Sequence, residues 1–210
     1  MTTALPNLRR FAVLGDSAAF GVGDYDQNGN PRGWAYYLSK AFAEKVDYLN
    51  VSRPGAKSLE VRETQFPKIR DFKPDICAVI VGGNDILRNG FNPTQIYANL
   101  KSTIIELRRI DSEILMLELH DPTQLLKLPR TLEKVLIKRV NALNEVIHKL
   151  SLEYEITLLK TRSLPNIYSK SLWHIDRMHP GTFGHQMIAV SFKELLVANG
   201  WRFKEFEFEE

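Results

Sequence analysis

The sequence predicts an open, mostly parallel α/β sheet of five strands flanked by helices. Three observations predict it. Five short apolar runs alternate with longer segments of helical periodicity along the 210 residues, the pattern of βα units and not of hairpins. One of these runs, Asp75–Gly82 (DICAVIVG), is apolar almost throughout, as a strand covered on both faces requires. The residues with chemistry to offer follow the runs and do not lie inside them, which is where ligands bind on such sheets.

Each element has its own warrant. Arg10–Gly15 reads as a buried first strand. Gly33–Val46 carries Trp34, Tyr37, Leu38, Ala41 and Phe42 on one face and reads as a helix. Tyr48–Val51 is a short second strand, followed by a weaker helix over Leu59–Phe72 that Pro67 interrupts. Asp75–Gly82 is the third strand. Asn92 and then Pro93 supply an N-cap and a first helical position, opening a helix to about Arg109. Glu113–Leu119 is the fourth strand. Leu132, Val135, Leu136, Val140, Leu143, Ile147 and Leu150 are spaced three or four apart and mark a long amphipathic helix. Glu155–Leu159 is the fifth strand, and Thr182–Asn199 a last helix stopped by Gly200. The chain is expected to form one domain over 1–210, with about 201–210 a tail of alternating aromatic and charged residues.

Composition removes several classes of function. Hydrophobic residues make up 44% and charged residues 25%, which is globular and neither disordered nor fibrous. The longest wholly apolar run, Ile76–Val81, is six residues, against the roughly 20 of a membrane helix, so stable membrane insertion is not expected. The four apolar residues Phe11–Leu14 are too few for a signal peptide, and the lone Cys77 fits a reducing compartment. A cytoplasmic location is the expectation. Lys and Arg number 28 against 25 Asp and Glu, a net +3 spread along the chain, without the basic block of a nucleic-acid partner.

The strand ends carry complementary groups. Gly15-Asp16-Ser17 follows the first strand, Ser52-Arg53-Pro54-Gly55 the second and Gly82-Gly83-Asn84-Asp85 the third; Asp176-Arg177-Met178-His179 comes after the fifth. A serine hydroxyl becomes a nucleophile when a base takes its proton. Histidine suits that task, and a carboxylate on its other ring nitrogen fixes the tautomer. A tetrahedral intermediate then needs preorganised donors. Ser17, His179 and Asp176 offer the first three groups. The Ser17 amide, the Gly55 amide and the Asn84 carboxamide offer the donors. Each motif alone is weak, since glycine, serine and asparagine are ordinary turn and cap formers. The order and the placement together point to cleavage of an ester.

From Gly15-Asp16-Ser17 through Gly55 and Gly83-Asn84-Asp85 to Asp176 and His179, the chain resembles the SGNH (GDSL-like) hydrolases over almost its whole length. The block Asp176 to Pro180, with Gly184-His185 after it, is especially similar to the lipase and esterase members, while Ala18 departs from the leucine often found there. The resemblance implies a flavodoxin-like three-layer α/β/α sandwich. It also implies Ser17 as nucleophile, His179 as general base, Asp176 as its orienting acid, and Ser17, Gly55 and Asn84 as the oxyanion hole. The implied activity is hydrolysis of a small carboxylic ester, with a thioester, a sugar O-acetyl group or a lysolipid ester compatible.

The competing reading is a nucleotide- or phosphate-binding module, or a degenerate site. Gly15, Gly21 and Gly23 do not make G-x-G-x-x-G, and no G-K-[ST] follows. The five histidines form no H-E-x-x-H or similar set, so neither cofactor nor metal is expected. Asp16 and Asp85 read as turn braces, Trp34 and Tyr37 as core, with Trp34 also a candidate for the wall of the pocket mouth. His185 reads as a packing or capping group, His120 as a loop residue, His148 as solvent-facing, Cys77 as inert core and His174 as a lesser candidate for substrate contact. Specificity is assigned to the loops at 24–32, 86–92, 121–131 and 162–175. Oligomeric state is left open.

Overall fold

The computed structural model describes residues 8–204. In chain order these form β1 (Arg10–Gly15), α1 (Ser17–Phe20), α2 (Trp34–Ala41), β2 (Asp47–Asn50) and α3 (Ser58–Glu60). A π-helical turn (Val61–Gln65) leads into α4 (Phe66–Arg70), followed by β3 (Ile76–Ile80), α5 (Gly83–Leu87) and α6 (Pro93–Arg109). β4 (Glu113–Leu117), α7 (Arg130–Glu153), β5 (Thr157–Leu159) and α8 (Thr182–Ala198) complete the order. The strands lie β2-β1-β3-β4-β5, and every pairing is parallel where a mostly parallel sheet was expected. Strand order reverses between β1 and β3, so the crevice beyond their carboxyl ends is the expected ligand position.

Alternation along the strands divides the core into two layers. Ala12 and Leu14 of β1, with Cys77 and Val79 of β3, pack with Leu100, Ile104 and Leu107 of α6 and with the apolar stripe of α7. Phe11, Val13, Ala78 and Ile80 face the other way, onto α2 and α8. Both faces of β1 and β3 are therefore buried, which is why those strands read as near-continuous apolar runs.

Three differences from expectation have a physical reason. The first long helix ends at Ala41 instead of Val46. Residues 201–204 return to this point: Ala43 N–H donates to the Arg202 carbonyl at 3.1 Å, Lys204 N–H to that of Ala41 at 3.0 Å, and Phe203 stacks on Phe42. The front of the expected tail is thus packed, and 205–210 lie outside the described residues. The helix with Pro67 is continuous from Ser58 to Arg70 but widens into the π turn. Proline lacks the N–H that Glu63 would accept from and crowds its carbonyl, and the Phe66 N–H bonds to Val61 five residues back. The short helices α1 and α5, which have too few residues for a period to show, lie directly at the exits of β1 and β3.

Candidate active site

The site is assembled from strand exits. Asp16 follows β1 in an extended conformation, and its carboxylate accepts from Ala18 N–H, capping α1 so that Ser17 becomes its first residue. The Ser17 amide is thereby one of the first-turn amides without an intrahelical partner. Gln65 clasps the backbone just before this turn: the Gly15 N–H donates to Oε1 at 2.7 Å, and Nε2 donates to the Gly15 carbonyl at 2.8 Å.

Beyond β2, Gly55 holds φ +84°, a left-handed turn that favours glycine. Beyond β3, α5 presents Asn84, whose Nδ2 donates to the Ala56 carbonyl at 3.2 Å, using one of its two amide hydrogens. Asp85 accepts from both the amide and the hydroxyl of Ser58. It ties α5 to α3, the bracing role expected of it.

The last part of the site arrives on a hairpin-like loop before α8. Trp173 bridges to Pro180, and His174 N–H donates to the His179 carbonyl at 2.9 Å. Within the loop, one Asp176 oxygen accepts from the amides of Met178 and His179. Its other oxygen lies 2.7 Å from His179 Nδ1, and His179 Nε2 lies 2.8 Å from Ser17 Oγ. Partial burial raises the Asp176 carboxyl, but the hydrogen bonds from the His179 ring and amide outweigh it and hold the group well below the usual carboxylate range. Asp16 behaves oppositely. Full burial pushes its carboxyl up to about 6 against the pull of the Ala18 amide and the His179 imidazole.

Ser17 and His179 open onto a cavity of about 360 Å³ whose wall includes Gly55 and Asn84. All four strand-end groups named from the sequence thus face one space, and Asp176 stands behind His179. Two of the four loops expected to set specificity reach this wall, through Ile86 and Leu87 and through Pro122 and Leu126; the loops at 24–32 and 162–175 do not. Asp24 is instead buried, accepting from Tyr37, Thr182 and Arg32, and Asp26 caps the amides of Asn28 and Asn30.

Several side chains part from their sequence reading. His120, taken as a loop residue, is buried in the cavity wall with its ring 4.1 Å from that of Trp173 and its Nε2 unpartnered; burial pushes it down to about 4. His148 keeps its solvent-facing place, with a side chain 45% exposed, while its Nε2 lies 2.8 Å from the buried Glu118. His174 turns to Asp176, at 3.3 Å, and not to the cavity. Trp34 lies in the core against Phe192, not at the pocket mouth, and its ring N–H donates to Ala18. His185 has the packing and capping role expected of it: it is fully buried, accepts from Trp34 N–H on Nδ1 at the start of α2 and donates from Nε2 to the Val22 carbonyl. Sequence reasoning missed Gln65, which no local pattern marks. It also missed the apolar wall: Leu117, Leu119, Leu136, Leu143 and Ile147 read as ordinary core. Among the described residues no three His, Cys, Asp or Glu side chains gather as a metal set, and no helix is long and apolar enough to cross a membrane.

Comparison with known proteins bears on the family and the fold. A model of the GDSL-like lipase/acylhydrolase family matches residues 13–187. No curated protein sequence matches the chain. Among solved structures, TesA is similar at 21% identity and a TM-score of 0.69, over 90% of this chain and 98% of that one. A variant of Axe2, an acetyl-xylooligosaccharide esterase from Geobacillus stearothermophilus, is similar at 16% identity and a TM-score of 0.71, over 96% and 97% of the two chains. The psychrotrophic esterase EstA from Pseudoalteromonas sp., solved with monoethylphosphonate as inhibitor, gives 17% and 0.69, over 90% and 97%. At these identities the likeness shows the shared α/β fold.

Proposed function

The chain belongs to the GDSL-like lipase/acylhydrolase family, and from that premise we propose that it is a one-domain serine hydrolase that cleaves carboxylic esters through an acyl-enzyme on Ser17. The observation that carries this reading is the continuous chain of contacts from Ser17 Oγ to His179 Nε2 and from His179 Nδ1 to Asp176, at 2.8 and 2.7 Å.

In the first half-reaction His179 Nε2 takes the Ser17 proton as Oγ attacks the ester carbonyl. Asp176 accepts from Nδ1–H, fixes the tautomer that leaves Nε2 free to act as base, and stabilises the imidazolium. The Ser17 and Gly55 amides and the Asn84 carboxamide receive the developing oxyanion, each donor contributing about 3 kcal/mol. The imidazolium then protonates the departing alcohol. In the second half-reaction His179 deprotonates water as it attacks the acyl carbonyl; the Ser17 Oγ–acyl bond then breaks, the imidazolium returns the proton to Oγ, and the acid leaves. Every step falls to the chain's own residues.

The test is hydrolysis of p-nitrophenyl acetate, butyrate and octanoate by the wild type and Ser17→Ala, alongside fluorophosphonate labelling. Loss of activity and of labelling in the variant, with the fold retained by circular dichroism, supports the reading. Full activity in Ser17→Ala ends it. Asn84→Ala is expected to slow turnover by about 10²-fold or more.

A further inference from the structure

An acetyl group would leave most of the cavity beside Ser17 unfilled. The cavity leaves the Ser17–His179 end, passes the carboxyl ends of β3 and β4, and reaches the buried face of α7. Leu136, Leu143 and Ile147 lie on that face over about three turns, spanning about 16 Å along the helix axis. Apart from the reacting end, His120 supplies the main polar side chain of the wall, in its neutral form. A polar acyl group would lose its water here with few partners to replace it. The mouth is apolar too: Leu87 and Met178, 48% and 41% exposed, stand on it.

We propose that the acyl part of the substrate is an unbranched aliphatic chain of about eight to ten carbons, drawn tail-first into this cavity between the ends of β3 and β4 and helix α7. This rests on Ser17 being the group that is acylated. The length follows from volume. A methylene occupies about the liquid volume of one water, roughly 30 Å³, so a space of 360 Å³ that is partly mouth holds about eight to ten of them. Leu87 and Met178 then cover the first methylenes, and α7 is the far wall that measures the chain. The alcohol leaves through the open side and is not selected by this cavity.

The experiment is kcat/KM for p-nitrophenyl esters from acetate to palmitate, and for alkyl acetates of matching alcohol length. The proteins are the wild type, Ser17→Ala, Leu136→Trp and Ile147→Ala. With the wild type we expect kcat/KM to rise up to about fourfold per added acyl methylene while the tail is still entering. It should peak near eight to ten carbons and then fall, with little response to alcohol length. Leu136→Trp, which fills the cavity, should lower the octanoate-to-acetate ratio by at least about tenfold; Ile147→Ala, which enlarges it, should move the peak to longer chains.

Ser17-dependent activity that is flat or falls from acetate onward overturns the proposal and leaves the Ser17 reading standing. So does a dependence on alcohol length in place of acyl length, or a peak unmoved by either folded variant. Activity surviving in Ser17→Ala, without fluorophosphonate labelling of the wild type, overturns the Ser17 reading itself and this proposal with it. Should either variant fail to fold, the crystal structure of the wild-type adduct with a ten-carbon alkyl fluorophosphonate decides the matter. A chain lying against α7 supports the proposal, and a chain on the surface refutes it.

Discussion

Gly23→Ala should disable catalysis from outside the reacting groups. Gly23 holds φ +109°, and a Cβ there would stand 2.0 Å from the Pro180 carbonyl oxygen. Contacts below 3.0 Å are essentially never seen, so the two segments must separate by about 1 Å. Pro180 follows His179, whose imidazole must meet Ser17 Oγ at 2.8 Å. A misplacement of about 1 Å costs on the order of 10²-fold in rate. Backbone strain is a separate cost to stability, about 1–2 kcal/mol for alanine in a left-handed conformation. Gly29→Ala isolates that strain, because Gly29 also has a positive φ, +80°, but nothing lies within 4 Å of where its Cβ would stand. The assay is p-nitrophenyl butyrate hydrolysis with thermal melting of both variants. Gly29→Ala should keep kcat within about twofold and lose a few degrees of Tm; Gly23→Ala should lose about 10²-fold in kcat and melt lower still. Equal kcat in the two variants would refute the argument that Gly23 spaces the histidine loop.

Three further outcomes are expected. His120 and His185 are pushed down to about 4 by burial. Between pH 4 and 6.5 the unfolded chain therefore binds more protons at both, and their contribution to stability rises with pH. Asp16, raised to about 6, contributes stability below about pH 4 that is lost as pH climbs through 6. Asp85, half-buried and raised by burial as well, adds to Asp16; the two buried histidines outweigh both carboxyls, so the urea midpoint should rise from pH 4.5 to 6.5, and Asp16→Asn should steepen the rise; a fall across that window would contradict the assignments. Asp176→Asn should lower kcat by on the order of 10²–10⁴ while the fold is kept, because the amide no longer enforces the working tautomer of His179; near-normal turnover would show that Asp176 does not orient the base. Cys77 is fully buried and burial pushes its thiol up, so a disulfide reagent should react with it in denaturant only. Reaction in the native protein would mean that β3 opens.

Much of the site was legible because its chemistry and its position on the sheet coincide. A parallel sheet exposes only its strand ends, so the small and polar residues directly after apolar runs, Ser17, Gly55 and Asn84, were marked by the same pattern that marked the strands. Asp176 and His179 needed more, since their loop is long, but their separation of three residues lets one carboxylate take both the backbone amide and the ring of the histidine. These are local relations, and local relations survive in a linear string.

What tertiary structure alone decided are relations between distant segments. The period of α7 says which of its faces is apolar, yet it does not say whether the space before that face is filled; Leu136, Leu143 and Ile147 look the same in sequence whether they pack a core or line a cavity. Gln65 clasps Gly15 from fifty residues away, across a π turn that exists because Pro67 cannot donate. The chain at 201–204 ends α2 five residues early by taking up the backbone groups at Ala41 and Ala43. Sequence determined the sheet and marked the candidate site residues, because hydrophobic alternation and hydrogen-bonding chemistry are properties of single residues and their neighbours. The shape of the space those groups face was decided by packing, because an unfilled volume belongs to no residue in particular.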